Sequence, residues 1–291
     1  MKIASSRLLV DIDEPGSRYA GTRFDWTSQV ASVRLDGSTE ILGQELPPGE
    51  FRADRGYGLH CEFGIKSPIG YDDCLVGEWF PKIGVGWLRR EGPQAYDFFH
   101  TYREIEAAEW QWRRESGLDG ESLVLSMNSG LRRGWAWSLE RTWTVRGNTL
   151  ECLTRLENTG NKAIETDEYC HNFLAVHGTE RHLRFSWGAA AQPGVLVNPE
   201  GILALGAGGV DIDGSKSGEF YAAGLGRDLP AGSFWELSGP GQVVVRETLD
   251  CPFSHCDLWG KQYVISPELF MPLRLAPGSS QSWRRIRTFG A

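Results

Sequence analysis

The segment 135–157 constrains the fold more than any other part of the chain, because its side chains alternate in direction as they would along a β-strand. Trp135, Trp137 and Leu139 share one face, and the run continues to the turn sequence Arg146-Gly147-Asn148. A second strand-like run begins at Thr149. Two such runs joined by a short turn are typical of a β-hairpin, so the sequence predicts an antiparallel pair here.

Similar runs rich in Val, Ile, Thr, Trp and Tyr recur along the chain, separated by turn signals that draw on 36 glycines and 14 prolines. This pattern predicts an all-β sandwich or barrel. Further strands are predicted at 28–35, 163–176, 183–187, 242–247, 263–265 and 282–289. The segment 104–114 fits a short helix and a strand equally well.

The composition indicates a globular chain and argues against several classes of function. With 291 residues, 41% of them hydrophobic, the chain is expected to form one large β-domain over residues 1–291. The net charge of -8 argues against a nucleic-acid partner, which would require clustered Lys and Arg. Because no apolar run reaches the roughly 18 residues of a membrane span, we expect no membrane partner and a cytoplasmic location.

The six cysteines are expected to be reduced thiols, because a chain of this length without an export signal rarely carries a disulfide framework. Cys251, His255 and Cys256 lie close together in the sequence. A structural zinc site usually shows two ligand pairs, and no second pair is present. The sequence therefore predicts no metal and no cofactor.

Two strand-like segments each carry an ionisable side chain in apolar surroundings. His171 lies in Tyr169-Cys170-His171-Asn172-Phe173-Leu174, and Glu268 lies in Ser266-Pro267-Glu268-Leu269-Phe270. Because strand residues two apart share a face, Tyr169 and Phe173 point the same way as His171. Taken alone, such a histidine is more often a core residue, and the glutamate could be a solvated strand end. Together the two segments indicate an acid/base pair that faces one pocket.

Two further segments, 55–64 and 78–87, carry residues suited to binding a polar ligand. The first is rich in glycine, which lets a ligand approach the backbone, although a turn with exposed polar side chains would look the same. The second contributes an amine and indole rings, and an indole in a cleft can stack on a sugar ring. The residues selected from these segments are Arg55, His60, Glu62, Trp79 and Lys82.

Three landmarks, in this order, resemble the aldose 1-epimerase (galactose mutarotase) superfamily over residues 19–289. They are Gly58-Leu59-His60-Cys61-Glu62, the turn Asn158-Thr159-Gly160 with the strand of His171, and Ser266-Pro267-Glu268 followed by Leu275-Ala276-Pro277-Gly278. The segment Phe80-Pro81-Lys82-Ile83-Gly84-Val85-Gly86 is similar to a bacterial branch of the superfamily. The resemblance implies a large antiparallel β-sandwich, the galactose mutarotase-like supersandwich, in a single domain.

One departure from the family pattern concerns the central histidine. In the best-known members a histidine occupies the place of Tyr169, so His171 is displaced by two residues. A shift of two residues keeps the imidazole on the same strand face. The displacement changes the depth of His171 in the pocket. It therefore bears on the identity of the substrate more than on the fold.

The resemblance implies a carbohydrate mutarotase, an isomerase that interconverts the anomers of an aldose by opening and closing the ring. It implies Glu268 as the base and a protonated His171 as the acid, placed on opposite sides of the sugar. The residues expected to contact the sugar are His60, Glu62, Arg23, Arg55, Lys82, Tyr169 and Trp79. The expected partner is a small-molecule sugar, and a homodimer is left open.

Three alternatives stay open from the sequence. A non-catalytic sugar-binding or regulatory protein would keep the aromatic contacts without the acid/base pair. A polysaccharide lyase or hydrolase would be a second class, and hydrolysis calls for two carboxylates, for which Glu62 and Glu268 are the pair. A hexose-phosphate epimerase would need convergent cationic side chains. The arginines considered for that role are Arg18, Arg23, Arg52 and Arg55.

Overall fold

The computed structural model describes residues 1–27, 29–37, 39–117, 120–175, 180–188, 193–239 and 244–290, and these form strands, loops and a short 3-10 helix at Pro199–Gly201. The strands in the first half of the chain are β1 (Lys2–Ala4), β2 (Leu8–Ile12), β3 (Val30–Leu35), β4 (Thr39–Glu40), β5 (Leu59–Phe63), β6 (Trp79–Lys82), β7 (Gly86–Arg89), β8 (Ile105–Ala107), β9 (Glu109–Gly117), β10 (Gly120–Asn128), β11 (Trp137–Arg146) and β12 (Thr149–Asn158). The strands in the second half are β13 (Ile164–Asn172), β14 (Leu174–Ala175), β15 (Glu180–Phe185), β16 (Val195–Val197), β17 (Leu203–Gly206), β18 (Gly209–Asp213), β19 (Phe220–Ala223), β20 (Arg227–Leu229), β21 (Phe234–Ser238), β22 (Val245–Leu249), β23 (Phe253–Lys261), β24 (Val264–Leu275) and β25 (Ser280–Phe289).

Within the described ranges the strands form three antiparallel sheets. A twelve-stranded sheet has the order β1-β2-β3-β5-β13-β24-β23-β19-β16, with β4, β14 and β20 pairing with β3, β24 and β23. A ten-stranded sheet has the order β17-β18-β15-β21-β22-β25-β12-β11-β10-β9, and a small sheet contains β6, β7 and β8. The prediction of a large antiparallel β-sandwich is confirmed. No helix in these parts of the chain has the length and apolarity needed to cross a membrane.

The strongest local predictions are confirmed. The hairpin at 135–157 is formed by β11 and β12, whose register ends at the pair Arg146 and Thr149 around the predicted turn. The predicted strands at 183–187, 263–265 and 282–289 overlap β15, β24 and β25. The segment 104–114 forms strand rather than helix, because the residues of β9 pair along their whole length with β10.

Two predicted strands overlap observed strands but differ from them in extent. The long strand at 163–176 is divided, because β13 ends at Asn172 and β14 begins at Leu174. The strand at 263–265 is instead the start of β24, which continues through Glu268 to Leu275. Parts of three predictions lie outside the described residues, namely Ser28, Val176, Gln242 and Val243.

The core lies between the two large sheets. Phe63 on β5 meets Trp283 on β25 with their ring centroids 6.3 Å apart, so the inner faces of the two sheets interlock. Burial alternates along β11, β12 and β25, as expected for strands with one face toward a core. Each large sheet therefore keeps an outer face that can carry a site, and β13 and β24, which carry His171 and Glu268, belong to the twelve-stranded sheet.

A buried ionic network accompanies the apolar core between the sheets. Arg285 on β25 contacts Glu168 on β13 at 2.6 Å, and Arg141 on β11 contacts Asp25 at 2.6 Å. The network contains three carboxylates and three guanidinium groups, so its formal charges sum to zero. Its members are Asp25, Glu168, Glu247, Arg141, Arg285 and Arg287. Because Glu168 faces inward, the alternating residues Tyr169 and His171 face outward.

Candidate active site

A row of four ionisable side chains crosses the outer face of the twelve-stranded sheet. The register places His60 on β5 opposite His171 on β13, and Glu268 on β24 opposite Asp257 on β23. Nε2 of His171 lies 3.3 Å from Oε1 of Glu268. The structure therefore brings the predicted acid and base side by side, whereas the resemblance implies that they lie on opposite sides of a sugar.

Burial governs the protonation of this pair, since His171 and Glu268 are each only 4% exposed. Burial, reinforced by the charge of Arg23, holds the pKa of His171 well below its usual range. Burial also raises the pKa of Glu268 well above its usual range; Asp257 adds to the effect, and hydrogen bonding from Ser266 opposes it. The structure thus favours a neutral imidazole beside a protonated carboxyl, whereas the sequence predicted a charged pair. The two forms hold the same number of protons and differ only in which side chain carries one of them.

His60 lies in a cage of aromatic rings. The centroids of Tyr19, Phe24 and Tyr57 are 5.0, 4.9 and 4.8 Å from its own, and its exposed fraction is 0%. Within the described part of the chain neither ring nitrogen has a hydrogen-bond partner, and burial lowers the pKa of His60 to about 3. A contact between His60 and a sugar hydroxyl, as the resemblance implies, would require these rings to move.

Glu62 is the centre of a second buried cluster. Its Oε2 accepts hydrogen bonds from Arg23 Nε (3.0 Å) and the Tyr169 hydroxyl (2.7 Å), and its Oε1 accepts one from Lys82 Nζ (3.3 Å). Lys82 also donates to a backbone carbonyl (2.9 Å) and to the Tyr96 hydroxyl (3.1 Å), so its three N–H groups are all engaged. Burial lowers the pKa of Lys82. The structure brings four predicted sugar contacts together, but three form a closed cluster and Arg23, 16% exposed at its side chain, is the member that reaches the surface.

The structure leaves Trp79 and Arg55 apart from this row. Strand alternation turns Trp79 to the face of β6 opposite Lys82, where the guanidinium of Arg132 lies 5.2 Å from its ring. Arg55 pairs with Glu45 at 3.4 Å and, with Arg23, lines a crevice of about 20 Å³. Both residues therefore have partners outside this row.

The arginines considered for a phosphate group each have a local partner. Arg18 lies over the ring of Tyr57 at 4.6 Å, and Arg52 pairs with Asp54 at 2.6 Å. Arg23 and Arg55 pair with Glu62 and Glu45. Two of these cations, Arg23 and Arg55, share only the crevice of about 20 Å³, and Arg18 and Arg52 do not line it.

A cavity of about 390 Å³ lies next to the row. Along the strands, it is displaced from the row by one pair of outward-facing side chains. Phe270, two residues after Glu268 on the same face, and Asp257 line it, while Tyr96, Phe98 and Tyr221 form other walls. The volume lies within the range of roughly 300 to 1,000 Å³ typical of ligand pockets. Asp257 belongs both to the row and to the wall of this cavity, whereas His171 and Glu268 lie next to the cavity without lining it.

The cavity is acidic. Asp97, Asp167 and Asp257 line it with one amine, Lys66. His255 also lines it, and burial lowers the pKa of that imidazole, so it adds little positive charge near neutral pH. Carboxylates beside aromatic rings suit a ligand with many hydroxyl groups and disfavour an anionic one.

The sequence analysis missed Asp257 and Trp259. The Tyr221 hydroxyl donates to Asp257 Oδ2 (2.5 Å) and the Gly224 N–H donates to Oδ1 (2.8 Å), which hold the carboxylate beside Glu268. Trp259 stands edge-on to His171 with centroids 5.0 Å apart, so it is the indole at this site. The signal that could have found them is the spacing in β23, where His255, Asp257 and Trp259 are two residues apart and share a face.

Comparison with known proteins gives a likeness in structure alone. No protein-family model matches the sequence, and neither does any curated protein. A galactose mutarotase related enzyme from Lactobacillus acidophilus matches with a TM-score of 0.62 at 10% identity, covering 100% of this chain and 97% of that one. A galactose mutarotase-like protein from Clostridium acetobutylicum matches with a TM-score of 0.63 at 11% identity, covering 99% and 94%.

A third solved structure, from Escherichia coli, is provisionally named an aldose 1-epimerase. It matches with a TM-score of 0.59 at 12% identity, covering 99% of this chain and 97% of that one. At identities this low, the structural matches establish the fold, and the activity has to be argued from the site. The chain therefore has the galactose mutarotase-like fold, as its sequence resemblance predicted.

Proposed function

We propose that this protein is an aldose 1-epimerase-like mutarotase that interconverts the anomers of an aldose by acid/base ring opening. The observation that carries the proposal is the 3.3 Å contact between His171 Nε2 and Glu268 Oε1 beside a sugar-sized cavity. The anomeric hydroxyl oxygen and the ring oxygen of a sugar are bonded to the same carbon. Two groups this close can therefore reach both oxygens from one side of the ring.

The neutral form of the pair gives a balanced reaction. Neutral His171 takes the proton of the anomeric hydroxyl while Glu268 gives its proton to the ring oxygen. The bond between the anomeric carbon and the ring oxygen breaks, and a carbonyl forms. The open-chain aldehyde then lies beside an imidazolium and a carboxylate, whose opposite charges stabilise each other at this distance.

Ring closure returns both protons. After rotation of the carbonyl, the ring hydroxyl adds to its other face, Glu268 accepts the hydroxyl proton and His171 protonates the carbonyl oxygen. This half of the reaction uses Glu268 as base and His171 as acid, but each acts on the oxygen opposite to the one that the resemblance implies, since Glu268 serves the ring oxygen and His171 the anomeric oxygen. Each such group typically contributes roughly 10² to 10⁴ in rate.

A neutral aldose suits the site better than a sugar phosphate. The cavity contains three carboxylates and one amine, and the nearby arginines are engaged with carboxylates or a ring. A phosphate group entering it would meet charges of its own sign. Tyr96 and Phe98 offer aromatic surface to the apolar face of a sugar ring.

NMR exchange spectroscopy of anomeric protons tests the proposal across neutral aldoses and their phosphates. We expect the protein to raise the exchange rate of at least one neutral aldose above the uncatalysed rate, and Glu268→Gln to lose about 100-fold or more of that acceleration. Glu104→Gln is the matched control, because the Glu104 side chain is 52% exposed and pairs with Arg89 on the small sheet. Full activity of Glu268→Gln would rule out the assignment.

A non-catalytic sugar-binding protein is the second candidate, favoured by the small exposed fraction of the pair. Ligand titrations with the same sugars separate the two functions. Binding of a sugar without any acceleration of anomer exchange, with equal affinity for the parent and Glu268→Gln, would establish the binding function.

A further inference from the structure

The hydrogen-bond ladder between β13 and β24 is interrupted at the site. It runs from the pair Ile164 and Leu275 to the pair Glu168 and Met271, and it resumes with β14 at Leu174 and Ile265. Pro267 lies in the gap and has no N–H to donate. On its other side β24 pairs with β23 through the same residues without a break, so the gap is confined to the side of His171.

Two side chains bridge this gap. Ser266 Oγ accepts the backbone N–H of Asn172 (2.9 Å), and it lies 2.9 Å from Glu268 Oε1, to which it donates. Asn172 Nδ2 donates to the carbonyl oxygen of Pro267 (2.7 Å). Ser266 and Asn172 are both fully buried, so these bonds connect the strands where the backbone cannot.

Asn172 is itself held by the ionic network between the sheets. Its Oδ1 accepts two hydrogen bonds from Arg287 (3.1 and 2.9 Å), and its Nδ2 donates to Glu247 Oε2 (3.1 Å). The carboxyl of Glu268 is thus connected through Ser266 and Asn172 to charges on the opposite face of the sheet. Because the Asn172 side chain is held at both its oxygen and its nitrogen, it has little freedom to rotate.

We propose that Ser266 is a positioning residue that orients the Glu268 carboxyl toward His171 and sets its proton affinity. A hydroxyl has one proton, and because the Asn172 N–H points at Ser266 Oγ, that proton is directed at Glu268. The bond reaches Oε1, the same oxygen that lies against His171. It stabilises the carboxylate that remains when Glu268 has given up its proton.

The test is a titration of Glu268 by NMR, using carboxyl-labelled glutamate, in the parent and in Ser266→Ala. Loss of the donor should raise the pKa of Glu268 by about one pH unit, because a hydrogen bond to a charged group is lost. The effect on catalysis rests on the proposed mutarotase function. If that function holds, the limb of the anomer-exchange pH profile that reports the titration of Glu268 should move to higher pH by the same amount. Ser266→Thr keeps the hydroxyl and should restore both values.

An unchanged pKa of Glu268 in folded Ser266→Ala, or an equal shift in Ser266→Thr, would overturn the proposal. If Ser266→Ala does not fold, Ser266→Cys replaces it, because a thiol has a similar shape and donates only weakly. A parent protein without exchange activity would refute the mutarotase function alone, since the titration of Glu268 still decides whether Ser266 acts on it.

Discussion

Replacing His60 tests whether the aromatic cage exists in solution as the structure describes it. The ring is 0% exposed, and burial lowers its pKa from 6.5 to about 3. The folded protein therefore keeps His60 neutral down to about pH 3, whereas the unfolded chain binds a proton below pH 6.5. This residue contributes stability that is present above the unfolded pKa and is lost as the pH falls.

The size of the effect follows from the difference between the two pKa values. Each pH unit below the unfolded pKa of 6.5 lowers the free energy of unfolding by about 1.4 kcal/mol. From about pH 7 to about pH 4.5 the loss is on the order of 2.5 kcal/mol. His60→Leu removes the titrating group, so its free energy of unfolding should rise by that amount relative to the parent over the same interval.

Urea unfolding followed by tryptophan fluorescence at a series of pH values measures this difference directly. His182→Leu is the matched control, because the His182 side chain is 41% exposed. Subtracting the parent from each variant cancels the titration of all other groups. If the difference in the free energy of unfolding between His60→Leu and the parent does not change with pH, His60 is open to water. The contact between His60 and a sugar that the resemblance implies would then be supported.

Three further results are expected. Glu247→Leu should lower the free energy of unfolding by about 3 to 5 kcal/mol in urea, because it leaves the buried guanidinium of Arg287 without a carboxylate and Arg285 with Glu168 alone. Glu236→Leu, in the partly exposed pairs of the same sheet, should cost about 1 kcal/mol or less. Lys82→Met should lower the thermal unfolding temperature, because it removes one of the two cations that pair with the fully buried Glu62; an unchanged unfolding temperature would contradict the buried cluster. Asp257→Asn should lower the pKa of Glu268 in a carboxyl titration, because it removes a like charge; a raised or unchanged value would contradict this account of the pair.

The fold could be predicted to the extent that its signals are local. Alternation and a glycine turn define the hairpin at 135–157, and the register of β11 and β12 agrees with them. The segment 104–114 was ambiguous because its strand character depends on pairing with β10. The break after Asn172 could not be predicted, since it depends on Pro267 and Ser266 in a distant part of the chain.

The site was predictable where a residue type stood out from its surroundings. His171 and Glu268 did so, because each interrupts an apolar strand. Glu62 and Lys82 were read as sugar contacts because a buried ion pair and a ligand contact use the same residue types, and burial is not visible in a sequence. The protonation of the pair was also beyond the sequence, since it depends on how much water reaches the two groups.

The two faces of β13 explain why the acid/base contact is fixed. Tyr169 and His171 point outward to the site, and Glu168 and Asn172 point inward to the ionic network. A slip of one residue in the register would exchange these faces. It would bury the imidazole between the sheets and take Glu168 away from Arg141 and Arg285. Three buried guanidinium groups would then face two of their carboxylates, and an uncompensated buried charge costs about 3 to 5 kcal/mol. The charges on one face of the strand therefore hold His171 against Glu268 on the other.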